Sequence, residues 1–130
     1  MTPVGLTFGQ IITLEGYSLQ ASPEAVHVTL RWSASDYLDT DYAVFVHLVA
    51  PDGGGQAVAQ GDAPPLGGRW PTSLWLPGVP LDDAHTVPLP PDLPLGTYHL
   101  QVGLYDPESG MRLPLPDGAD LLRLAEIDLP

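Results

Sequence analysis

The sequence predicts an all-β domain, a β-sandwich of about eight or nine strands with Greek-key connections. Three features of the chain point to it. Sixteen prolines and fourteen glycines punctuate 130 residues, and both residue types weaken or break helix interiors. Windows of a dozen residues lack a 3.6-residue apolar period free of Pro or Gly. Apolar and polar residues instead alternate in short runs bounded by turn residues, the pattern of half-buried strands.

In order along the chain, residues 6–8 and 10–14 read as short opening strands, with Gly9 at a bulge or bend. Glu15-Gly16 is expected to interrupt, and residues 17–19 to continue the edge. Ser22-Pro23-Glu24 is a turn. Residues 25–33 form a strong strand, with Val26, Val28, Leu30 and Trp32 on one face and His27, Thr29 and Arg31 on the other. Residues 35–41 are a polar connection. Residues 42–49 carry apolar side chains on both faces, as a central strand covered on both sides does. Pro51-Asp52-Gly53-Gly54-Gly55 reads as a hairpin loop, and residues 57–60 pair back.

Residues 61–81 are irregular, because Pro64, Pro65, Pro71, Pro77 and Pro80 cannot donate ladder hydrogen bonds. Loops of this length are more often functional or disordered than idle. A strand follows over 84–89, then a polyproline-like corner over 90–95. Residues 96–115 read as a β-hairpin: Tyr98, Leu100, Val102 and Leu104 alternate with His99, Gln101, Gly103 and Tyr105, residues 106–110 turn, and Met111-Arg112-Leu113 returns. After a turn at Pro116-Asp117-Gly118 comes the last strand, 121–129. Its Leu122 and Leu124 face opposite to Ala125 and Ile127, which predicts a bulge. Trp32, Phe45 or Val46, Tyr98, Leu100, Val102 and Leu104 should share one core. A Trp late in the second strong strand and a Tyr opening the strand at 98 resemble the core pattern of fibronectin type III and other immunoglobulin-like sandwiches.

The length suits one domain. With net charge −12, four arginines and no lysine, the chain should repel nucleic acid and anionic membrane surfaces. No apolar run approaches the ~18–20 residues of a membrane helix, so direct membrane insertion is not expected. Residues 1–12 lack the basic and apolar regions of a signal peptide. The absence of cysteine excludes disulfides, thiolate metal sites and a Cys nucleophile.

The richest candidate site spans residues 60–85. Trp70 and Trp75 sit there among Asp62, Arg69, Asp83 and His85. Aromatic faces beside hydrogen-bonding groups suit a sugar, whose C–H faces pack on rings while its hydroxyls seek polar partners. On this expectation Trp75→Ala weakens carbohydrate binding without unfolding the domain. The competing reading makes both tryptophans lids over the open end of the sandwich. Ser73, His85 and Asp82 or Asp83 match no triad family, and the chain has no G-x-S-x-G elbow. Asp36, Asp39 and Asp41 lack the spacing of a calcium loop, and Asp106 and Glu108 have the same weak claim. His27, His47, His85 and His99 lack zinc-site spacing. No cofactor or metal is implied.

Four motifs occur in order: YAVFVHL (42–48), AQGDAPP (59–65), PTSLWLPG (71–78) and GTYHLQVGLYDPESGMRL (96–113). Together they resemble the C-terminal β-sandwich region that follows the membrane spans of some large bacterial glycosyltransferases, enzymes similar to dolichyl-phosphate-mannose–protein mannosyltransferases. The resemblance covers roughly residues 25–115. It implies an accessory domain outside the cytoplasm, tethered to the membrane through a parent chain whose membrane portion carries catalysis. No catalytic residue carries over onto this chain. The expected function is therefore non-catalytic, binding or positioning a glycan or acceptor. The rival is a structural or protein-interaction module without a small ligand.

Overall fold

Period-two burial converts the alternating runs into two stacked sheets. The computed structural model describes residues 1–50 and 56–129, so the hairpin loop expected over 51–55 lies outside the described residues. Among those described, eight strands form: β1 (Thr2–Phe8), β2 (Ile12–Ala21), β3 (Ala25–Ala34), β4 (Ala43–Val49), β5 (Ala57–Gln60), β6 (Leu81–Pro88), β7 (Gly96–Tyr105) and β8 (Leu122–Leu129). One antiparallel sheet has the order β1-β2-β3-β6 and the other β5-β4-β7-β8. The chain crosses between sheets after β3, β5 and β6, returning β6 beside β3 and β7 beside β4. This interleaving is the Greek-key connectivity of immunoglobulin-like and fibronectin III-like sandwiches.

Several elements differ from the sequence reading. β1 and β2 are a long hairpin, closed by Ile11 N–H donating to Phe8 O at 3.2 Å. Gly9 (φ 59°) and Gln10 (φ 64°) are both left-handed, the backbone that matches a two-residue turn to strand twist. Glu15 does not interrupt β2. The β2–β3 register skips it between Leu14 and Gly16, so the strand continues through a bulge. β6 begins at Leu81 rather than 84, which moves Asp82 and Asp83 from loop to strand.

The return over 111–113 is one bridge, Tyr105 with Arg112, extended by Leu113 N–H to Leu104 O at 2.9 Å. Pro114 and Pro116 lack the donors to prolong it, and β8 already pairs with β7 from Gly96 up to Val102. In β8, Leu100 faces Ala125 and Gln101 faces Arg123, so Leu124 is the extra residue of the expected bulge.

The core lies between the sheets. Phe8, Leu14, Val28, Leu30 and Trp32 meet Val46, Leu48, Leu100, Val102 and Leu104, all at 0–1% exposure. Phe8 and Trp32 pack edge to face, 5.9 Å between centroids. Tyr98 is buried in the same core, and its hydroxyl donates to Pro94 O at 2.6 Å, a tyrosine corner at the start of β7. Of the alternatives Phe45 and Val46, Val46 enters the core. Phe45 is 1% exposed yet points to the outer face of its sheet, opposite Gly103. Among the described residues no helix is long and apolar enough to cross a membrane.

Candidate functional site

The loop between β5 and β6 contains two 3₁₀ turns, Pro65–Gly68 and Thr72–Leu74, in place of ladder pairing. Its interior is filled by Trp75, which is 1% exposed and belongs to the core cluster. The Trp75 indole N–H donates to Trp70 O at 2.9 Å. Trp75 therefore presents no free ring face, and Trp75→Ala should unfold rather than spare the domain, by about 3–5 kcal/mol. Trp70 is 45% exposed, and the two rings do not form a paired platform. Arg69 is exposed and donates through Nε to Leu66 O at 3.2 Å.

Asp83 and His85 lie two residues apart on β6, so both point inward. Asp83 is 0% exposed and His85 4%. His85 Nε2 lies 2.5 Å from Asp83 Oδ2, and its Nδ1 lies 3.1 Å from Gly61 O. A carbonyl only accepts, so Nδ1 carries a proton. Asp83 Oδ2 also accepts from Trp32 Nε1 at 3.3 Å, while Oδ1 accepts from Leu66 N at 2.8 Å. The pair thus ties Gly61, at the start of the loop, and Leu66, in the first 3₁₀ turn, to β6 and joins them to the core Trp32. Sealed from solvent, it is a structural network.

Asp62 is exposed, two residues beyond the end of β5. It accepts from Val46 N at 3.0 Å through Oδ1 and lies 3.3 Å from His47 Nε2. Ser73 does not join His85: its amide donates to Asp41 Oδ1 at 3.0 Å. Thr72, fully buried, donates to Thr40 O at 2.6 Å and accepts from Tyr42 N at 3.0 Å. The six sequence-predicted site residues therefore divide. Trp75, Asp83 and His85 are interior, Asp62 is exposed and bridges the loop and β4, and Arg69 and Trp70 are open to solvent.

Three surfaces stand out among the described residues. On the loop, Trp70, Leu74, Leu76 and Val79 are 45–55% exposed. At one end of the sandwich a cavity of about 400 Å³ is lined by Asp39, Thr40, Asp41, Asp106, Pro107 and Glu108. The Asp41 carboxyl is held below the ordinary carboxylate range by its hydrogen bonds from the Ser73 side chain first and the Ser73 amide second. Among the described residues, no three His, Cys, Asp or Glu side chains are grouped to hold a metal ion.

The third surface is a groove of about 250 Å³ on the outer face of the β5-β4-β7-β8 sheet, lined by Phe45, His47, Asp62, Tyr105, Gly110 and Arg112. A Cβ at position 103 would collide with the Phe45 ring, so Gly103 is what lets Phe45 lie over β7. Arg112 then covers Phe45, with Cζ 4.3 Å from the ring centroid, a cation–π contact. Sequence reasoning missed this groove. Its signal was the two-faced apolar run of β4 beside a strand that lacks one side chain, at Gly103.

No family model matches the chain, and no curated protein matches it significantly.

Proposed function

We propose that this chain is a non-catalytic accessory module, an extracytoplasmic domain tethered through a parent membrane glycosyltransferase of the kind its motifs resemble, and that its β5–β6 loop docks onto that parent. The observation that carries the reading is the division of labour within the loop. Thr72, Trp75 and the backbone of Leu66 are bonded inward, while Trp70, Leu74, Leu76 and Val79 face solvent. Five prolines and the Asp83 clamp pre-set this apolar face, which lowers the ordering entropy that docking otherwise has to overcome. Clustered exposed apolar groups with a Trp among them are the usual makings of a protein contact. The Asp83–His85 pair, in direct contact, is buried and closed to substrate, in keeping with the non-catalytic part.

A photocrosslinking residue placed at 74 in the intact parent, expressed in its own membrane, tests the reading. Crosslinks to the parent's remaining chain, lost when Leu76 and Val79 are both changed to Asp, are expected. Crosslinks absent, or unaffected by those changes while the domain stays folded, would overturn it. The expected glycan or acceptor contact is supported by the outer-face groove rather than by the loop.

A further inference from the structure

We infer that the outer-face groove, and not the tryptophan loop, is a binding site for a single uncharged sugar ring. The site is built from four elements: Phe45 and His47 on β4, Asp62 after β5, Tyr105 at the end of β7, and Gly110 with Arg112 in the segment that folds back over it. Its base is rigid. Phe45 is 1% exposed beneath Arg112, and its ring centroid lies 5.0 Å from that of His47 and 6.4 Å from that of Tyr105. Tyr105 is only partly covered and supplies an aromatic face for the C–H face of a pyranose.

The polar groups have capacity to spare. Asp62 makes one bond to the β4 backbone and one to His47, which leaves carboxylate lone pairs for hydroxyls. Arg112 Nη1 stands 3.6 Å from Asp120, too far for a good hydrogen bond, so its planar fork of donors is open to a pair of vicinal hydroxyls. Against the one guanidinium stand two carboxylates, Asp62 in the groove and Asp120 beside Arg112, so the site holds no surplus positive charge. A neutral ligand rich in both donors and acceptors fits such a site, whereas an anion would also meet the field of a chain of net charge −12. At about 250 Å³ the groove falls just under the roughly 300–1,000 Å³ of drug-sized sites, which suits one ring. Gly110, where nothing lies within 4 Å of a notional Cβ, keeps the outer wall open for a chain to continue.

The test is titration of the isotope-labelled 130-residue chain with methyl α-D-glucopyranoside, methyl α-D-mannopyranoside and methyl β-D-galactopyranoside, followed by amide shifts. Saturable shifts at His47, Asp62 and Arg112 are expected with at least one glycoside, in the millimolar range. Arg112→Lys keeps the charge but loses the planar fork, and should weaken binding roughly tenfold, the worth of one charge-assisted hydrogen bond. Tyr105→Ala should weaken it at least as much, and Arg112→Lys decides alone where Tyr105→Ala is unfolded. Trp70→Ala should leave the titration unchanged, which separates this site from loop docking. No saturable shift at tens of millimolar, shifts centred on Trp70, or a folded Arg112→Lys chain that titrates like the parent would overturn the inference.

Discussion

Asp83→Asn is the sharpest perturbation of this fold, because it changes one atom inside a closed network. The carboxylate accepts from three groups: Trp32 Nε1 and His85 Nε2 at Oδ2, and Leu66 N at Oδ1. An amide has one acceptor and one donor end. With its oxygen at the Oδ1 position, it satisfies Leu66, but its NH₂ then confronts the Trp32 N–H, and His85 has to give up its Nε2 proton to accept from it. With the amide flipped, the confrontation moves to the Leu66 N–H. One buried donor is orphaned either way, at about 1–3 kcal/mol. Asp83→Ala orphans every donor at once and should cost about 3–5 kcal/mol, a large part of the ~5–15 kcal/mol that holds a domain together.

The network also fixes the sign of a double-mutant cycle. Trp32→Phe removes the donor that the first amide orientation cannot satisfy. In that background Asp83→Asn should be milder by about 1 kcal/mol than in the parent. Urea unfolding of the four chains, followed by far-UV circular dichroism so that loss of Trp32 does not alter the probe, measures this directly. Two results would refute the reasoning: Asp83→Asn within about 0.5 kcal/mol of the parent, or effects additive within about 0.5 kcal/mol.

Leu100 is fully buried between the sheets, so Leu100→Ala should cost about 2–5 kcal/mol in the same assay; a chain as stable as the parent would contradict the sandwich core. Gly103→Ala forces a methyl into the Phe45 ring and should cost about 1–3 kcal/mol by overpacking, with the accompanying shift of Arg112 visible in amide spectra. The carboxyls of Asp41 and Asp82 titrate below their ordinary range, held there chiefly by the Ser73 side chain and by the Arg31 hydrogen bond respectively. Depressed carboxylates stabilise the fold above their unfolded value of about 3.9 and lose that contribution as pH falls through the folded value. Asp41→Asn should therefore lower Tm near neutral pH, and the gap to the parent should close on acidification below the ordinary carboxylate range; a gap that is constant or widens would contradict the sign.

The sequence by itself determined the strands that alternate strongly, the bulge in β8 and the sandwich class. Val26 to Trp32 and Tyr98 to Leu104 each present one apolar face, and a one-residue slip would turn that whole face to water. Local chemistry is enough for such elements. It also marked residues 61–81 as irregular, since prolines remove ladder donors wherever the chain goes. It did not show which side of that loop faces inward. Trp70 and Trp75 are the same residue type five positions apart in an aperiodic segment, and only the closing of the sandwich buries one and exposes the other.

The placement of polar groups was likewise decided in three dimensions. Asp82 and Asp83 are identical neighbours, yet strand β6 begins early enough to send Asp82 outward to Arg31, at 2.7 Å, and Asp83 inward to Trp32 and His85. That outcome depends on the register with β3, 51 residues away in the chain. The outer-face groove needed still longer connections, since Asp62, Tyr105 and Arg112 meet only after β4, β5 and β7 have paired. Periodicity reports the face a side chain takes within its own strand; which distant side chains share that face is settled by strand order and register, which no local pattern encodes.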